Sequence, residues 1–201
     1  AELRGPVRDL SARADIRGTD IVIEAYPSTQ MNVVLDGTGL SGEHPEASLD
    51  ARMEIGGEAM SATGLAKLDA GRIVVAPMKL KSGANEVSGR IAYHLDSRAP
   101  EAELTAMLDD LQALGRMVGV ECSGSADGTL AFDNGAVTAD MKLRSVTYGA
   151  MEAADIQLRT RMKHDGKGYS GTTDVDASGI QAGMAGLSSL KINVDGGLNE
   201  A

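Results

Sequence analysis

Aromatic side chains are nearly missing from this chain. Of 201 residues none is Trp, one is Phe (Phe132) and four are Tyr. Aromatic rings usually anchor compact cores because each buries so much area. Without them the apolar faces are expected to be smooth and aliphatic, built from Ala, Leu, Ile, Val and Met. Cysteine is scarce too. The lone Cys122 cannot close an internal disulfide, and one thiol does not assign a redox compartment. No run approaches the ~20 apolar residues of a membrane-spanning helix. The opening Ala-Glu-Leu-Arg-Gly is no signal peptide. Positive charge is in deficit, with 19 Lys and Arg against 29 Asp and Glu, a net charge of -10. That argues against nucleic acid, whose binding rests on Lys and Arg at phosphates. It argues equally against lying flat on an anionic membrane, and it favours solubility.

Catalytic and metal-binding constellations are also lacking. His44, His94 and His164 are scattered, and no pair has zinc-ligand spacing. Ser123, Ser125 and Ser188 lack a nucleophile-elbow context. Gly37-Thr-Gly39-Leu-Ser-Gly42 matches the dinucleotide fingerprint as a string. No helix is expected after it to receive a pyrophosphate, so it reads as a glycine-rich turn. Asp174-Val-Asp176-Ala-Ser178-Gly179 matches half an EF-hand loop, but Ala185 stands where the bidentate acid belongs. We read that stretch as an acidic strand edge. No cofactor is expected, and the chain reads as non-enzymatic.

What is present is alternation. Residues 46–55 place Ala47, Leu49, Ala51, Met53 and Ile55 at every second position, with polar residues between them. The phrase recurs at Leu10, Ala12, Ala14 and Ile16, at Leu130 and Phe132, at Val137, Ala139, Met141 and Leu143, and at Ile156 and Leu158. A period of two describes strands with one apolar and one wet face. With 25 Gly residues marking turns, the expected class is all-β, a long antiparallel meander. Strands are expected near 8–17, 20–26, 31–36, 47–56, 58–64, 66–76, 78–82, 86–95, 124–133, 136–145, 152–162, 171–177 and 188–195.

One hairpin can be registered in advance. Asn134-Gly135 accepts the positive φ angles of a type I′ turn. Folding about it sets Phe132 opposite Val137, Leu130 opposite Ala139, Gly128 opposite Met141 and Ala126 opposite Leu143. A single helical insert is expected at 101–115. Pro100 and two acids suit its start, Leu104, Met107, Leu108, Leu111 and Leu114 its apolar stripe, and Gly115 its stop. Residues 163–186, rich in Gly, Ser and Thr, read as loosely patterned. Both ends read as mid-protein sequence, as expected of a segment from a longer protein, here taken as one β-rich piece spanning 1–201. The apolar faces could close on each other as a sandwich, which patterning alone favours, or curve into a groove that stays open.

The opening residues 1–16 (Ala-Glu-Leu-Arg-Gly-Pro-Val-Arg-Asp-Leu-Ser-Ala-Arg-Ala-Asp-Ile) join other phrases of one style. These are Leu68-Asp-Ala-Gly-Arg-Ile-Val-Val-Ala-Pro-Met-Lys-Leu, Val87-Ser-Gly-Arg-Ile, Ser123-Gly-Ser-Ala-Asp-Gly-Thr-Leu and Leu190-Lys-Ile-Asn-Val-Asp-Gly-Gly-Leu. Together with the leucine-rich insert they resemble the TamB family, the inner-membrane component of the translocation and assembly module, and the related AsmA-like bridge proteins. The resemblance is one of style and carries no invariant signature; residues 163–186 depart from it. It implies a sheet folded lengthwise into an open hydrophobic groove, a β-taco. It further implies a periplasmic location within an inner-membrane-anchored protein of Gram-negative bacteria. Phospholipid or other acyl chains would be the cargo, and outer-membrane β-barrel assembly proteins possible partners in the same role. The residues expected to line such a groove, read from the alternation, are Leu10, Ala12, Ile16, Ile23, Leu35, Leu49, Met53, Ile55, Ile73, Val75, Ile91 and Leu95. In the second half they are Leu130, Phe132, Val137, Met141, Leu143, Ile156 and Leu158. The competing reading is a closed β-sandwich or β-solenoid module, such as an adhesin or secreted passenger domain.

Overall fold

Period-two alternation through most of the chain leaves little choice but strands, and the computed structural model consists almost entirely of them. It describes residues 2–4, 10–23, 26–42, 44–55, 57–164 and 168–199. The chain divides into two units, Ala1–Pro100 and Glu101–Ala201. The first holds β1 (Glu2–Arg4), β2 (Ser11–Ile23), β3 (Tyr26–Thr38), β4 (Glu46–Ile55), β5 (Glu58–Asp69), β6 (Arg72–Ser82) and β7 (Asn85–His94). The second holds β8 (Pro100–Leu108), helix α1 (Leu111–Val118), β9 (Cys122–Asp133), β10 (Ala136–Tyr148), β11 (Met151–His164), β12 (Gly168–Ala182) and β13 (Ala185–Asn199). Within each unit every strand pairs antiparallel with its neighbours in sequence. The sheet is open and not closed into a barrel, so the expected all-β meander is the observed class.

The Asn134-Gly135 hairpin has the register its turn dictates. Asn134 and Gly135 take φ of 48° and 75°, as a type I′ turn requires. Phe132 faces Val137, Leu130 faces Ala139, Gly128 faces Met141 and Ala126 faces Leu143. A second turn of this kind escaped the sequence reading. Ala70 and Gly71 have φ of 46° and 77°, so the stretch expected as one strand over 66–76 folds back there. Ala carries no signal for a left-handed position, which usually falls to Gly, Asn or Asp. The breaks expected near residues 18 and 77 are not breaks: β2 runs through Gly18, and β6 runs through Pro77. The register on both sides of β6 shifts around Pro77. A bulge suits a residue that has no N–H for the ladder.

Two expectations are corrected. The helix does not occupy 101–115, because Pro100–Leu108 is β8, paired with β9 from Ala102 opposite Phe132 to Leu108 opposite Ala126. The helix starts after Asp110, whose carboxylate accepts from the Ala113 N–H at 3.0 Å, and ends at Gly119 in the left-handed conformation. Spacings of four and three at Leu104, Leu108 and Leu111 imitated a helical stripe, yet Ala102, Leu104, Ala106 and Leu108 also alternate. Strand pairing decides between the two periods. The region 163–186 is likewise regular where it is described: β12 and β13 fill 168–182 and 185–199. Its Gly, Ser and Thr residues blur the pattern, but their backbone groups pair along almost the full length of β11 and β13.

Candidate functional site

The register turns the alternation into continuous apolar rows across each sheet. In the first unit Ile16 faces Val33, Val33 faces Ala51, Ala51 faces Ala62, Ala62 faces Leu80 and Leu80 faces Val87. Beside that row, Leu35 faces Leu49 and Leu49 faces Gly64; on its other side Met31, Met53 and Met60 face one another in turn. Ala12 faces Gly37, Ile73 faces Tyr93, and Val75 faces Ile91. In the second unit Gly128, Met141, Leu158, Val175 and Ile192 form one row, and Ala126, Leu143, Ile156, Ala177 and Leu190 another. Phe132, Val137 and Met162 begin a third, while Leu130 lies between Leu104 and Ala139.

The expected lining residues therefore share faces, with three exceptions. Leu10 and Leu95 lie just outside β2 and β7; their backbones are fixed by bonds to Leu40 and Gly71. Ile23 pairs with Tyr26, one position out of phase with Ala12 and Ile16. Ile55 closes its row opposite Glu58. The sequence reading passed over Val33, Met60, Leu80 and Val87, whose alternation was legible but was not gathered. It also passed over Leu104, assigned to the helix, and Val175, assigned to the loosely patterned stretch.

These rows are not sealed by an opposing layer. Among the described residues the buried apolar ones are four alanines (Ala51, Ala92, Ala113 and Ala126), and no large side chain is fully buried. Ile16 remains 48% exposed and Leu35 39%. The chain exposes 12992 Å², against about 10,800 Å² for two separate compact units of about 10 kDa each. A sandwich would have hidden Ile16, Leu35, Leu80, Leu130, Leu190 and Ile192, which stay exposed here, while Leu49, Met141, Leu143 and Leu158 are half-buried.

The opposite face is a charge ladder. Arg13 bonds Asp36 across strands at 3.2 Å, Lys67 bonds Glu46 at 2.6 Å, and Lys191 bonds Asp176 at 3.2 Å; Arg144 also pairs with Asp127. Arg17 grips Asp15 through two nitrogens and holds its carboxyl below the usual range. An open depression of about 760 Å³ follows Arg17, Arg52 and Lys81. Those three cations pair with Asp15, Asp50 and Glu86. A second, of about 470 Å³, lies between the polar rows Lys142–Gln157–Asp176–Lys191 and Arg144–Asp155–Ser178–Ser189. Members of the apolar rows line both as well: Met31, Met53 and Met60 the first, and Leu143, Ile156, Ala177 and Leu190 the second.

Glu86 is held at 2.8 Å by Lys79 and 3.1 Å by Lys81. Hydrogen bonds from Lys79 and then Lys81 hold its pKa below the ordinary glutamate value, against an opposing effect of burial. A folded value below the unfolded one gives stability that is present above the ordinary glutamate range and is lost as pH falls through the folded value. The Glu86→Gln variant should be slightly less stable than the parent at neutral pH, with the gap closing in acid. Urea midpoints at both pH values check this, and a gap that persists in acid would contradict it.

The motif look-alikes resolve into ordinary structure. Gly42 donates to the Gly39 carbonyl at 2.9 Å in a turn between β3 and β4. Asp174 and Asp176 lie in β12, opposite Arg159 and Gln157. Among the described residues no three His, Cys, Asp or Glu side chains cluster to hold a metal ion. Among the described residues no helix is long and apolar enough to cross a membrane. No family model, no curated protein and no solved structure matches the chain.

Proposed function

We propose that this chain is a periplasmic lipid-conduit segment of TamB or AsmA-like type, whose apolar face carries phospholipid acyl chains between membranes or toward outer-membrane assembly. The observation that carries this reading is the set of aliphatic rows left accessible on one face of each sheet. An acyl chain entering water loses about 0.8 kcal/mol per CH₂, so a sixteen-carbon tail faces roughly 13 kcal/mol. Rows of Leu, Ile, Val and Met offset most of that cost without selecting one lipid, and flexible Met side chains adapt to irregular tails. A row crossing six strands spans about 24 Å, whereas the acyl layer of one leaflet is about 15 Å deep. One tail therefore fits across either unit. The headgroup would remain in water, and the acidic opposite face would keep the chain off anionic leaflets.

A photo-reactive residue placed at Leu49 or at Met141 tests the reading. With phospholipid vesicles present, both positions should capture lipid. Capture of water-exposed proteins and no lipid would overturn it.

A further inference from the structure

We propose that Met31, Met53 and Met60 form a binding site for a soft monovalent cation, Cu(I), on the apolar face of the first unit. The three stand directly opposite one another on β3, β4 and β5. No other strand methionine faces a second one in the described pairings. All three are half-buried, partly shielded from water yet reachable.

The register brings the sulfurs within reach of one ion. Neighbouring strands lie about 4.8 Å apart, so the three Cα atoms span about 10 Å. A methionine side chain turns about three bonds, which lets the outer two thioethers lean toward Met53. Gly18 faces Met31 and Ser82 faces Met60, so neither end of the line is crowded by a bulky side chain. The β3–β4 register also shifts between Ser28 and Met31; such irregularities re-aim side chains and recur beside functional sites.

Donor chemistry selects the metal. A thioether is a neutral, soft ligand that suits Cu(I), whereas Mg²⁺ and Ca²⁺ take oxygen and Zn²⁺ takes thiolate, imidazole or carboxylate. Three neutral donors leave the ion its positive charge, which a chain of net charge -10 favours. Thioethers carry no proton to lose, so acid should not compete with the metal as it does at thiolate or imidazole sites. A row of Leu would cover the sheet equally well and hold no ion.

Cu(I) kept reduced with ascorbate, titrated anaerobically into the whole chain without lipid against a chromogenic Cu(I) chelator, tests the site independently of any conduit role. One equivalent should bind, with affinity unchanged between about pH 7 and 5. In spectra of methyl-labelled methionine the signals of Met31, Met53 and Met60 should move together and the other methionine signals stay in place. Zn²⁺ should move none of them. Met53→Leu, a swap of similar volume that an apolar row tolerates, should weaken Cu(I) binding about a hundredfold, the upper end of what losing even an outer-shell partner costs a metal site. Met141→Leu and Cys122→Ser should bind like the parent, and circular dichroism verifies the fold of each variant. Absence of Cu(I) uptake would overturn the proposal. So would parent-like binding by Met53→Leu, loss of binding in Cys122→Ser, or shifts spread over all the methionines.

Discussion

Arginine at Leu49, or aspartate at Met141, should cut uptake of a fluorescent fatty acid about tenfold or more, since each change removes a contact worth about 1.5–3 kcal/mol and sets a charge beneath the tail. Leu49 sits between Leu35 and Gly64, and Met141 between Gly128 and Leu158. Each occupies the middle of a row, where a tail crossing the sheet cannot avoid it. Because the face is open to water, a charged side chain there can hydrate and the sheet should still form. The control is Thr129→Arg, which lies on the opposite face across from Asp140 and should bind like the parent. Fluorescence titration with matched circular dichroism distinguishes the outcomes. Parent-like uptake by both row variants would remove the apolar face from the mechanism.

The Gly128→Val variant should lose about 3 kcal/mol of stability, at the upper end for overpacking, and melt correspondingly earlier. A Cβ at this position would collide with the Asp140 carbonyl oxygen and with Met141. Two of the nearest atoms are backbone, so relief requires moving β10 away from β9. Gly196→Ala is the matched control: nothing lies within 4 Å of its would-be Cβ, and its melting point should stay near that of the parent. Thermal unfolding followed by circular dichroism reads both. Equal melting points for Gly128→Val and the parent would mean that β9 and β10 are not so closely apposed. Gly128 is thus a row position whose missing side chain lets two strands approach, a role that alternation alone cannot reveal.

Such positions mark the boundary of what the sequence discloses. Wherever turn chemistry and a period of two agree, as from Ala126 to Leu143, even the residue-by-residue pairing can be written beforehand. Where two periods overlap, as from Leu104 to Leu111, the chain satisfies helix and strand templates together, and the partner strand β9 makes the choice. The Ala70-Gly71 turn stayed hidden because Ala carries no mark of a left-handed backbone. The candidate surface was legible as a set of apolar positions. Its openness was not, because the same alternation serves a sandwich equally well; only the lack of an opposing layer over Ile16, Leu35 and Leu130 separates the two.

Nearest-neighbour pairing has a consequence for how this architecture can change. Each hairpin rests on the strand before it and supports the strand after it, and no distant crossover must be preserved. Stability then accumulates step by step along the sheet, as in repeat proteins, and formation can spread like a zipper from a strong local turn such as Asn134-Gly135. Evolution could add or delete whole hairpins and so set the reach of the apolar track as one would cut a ruler to length.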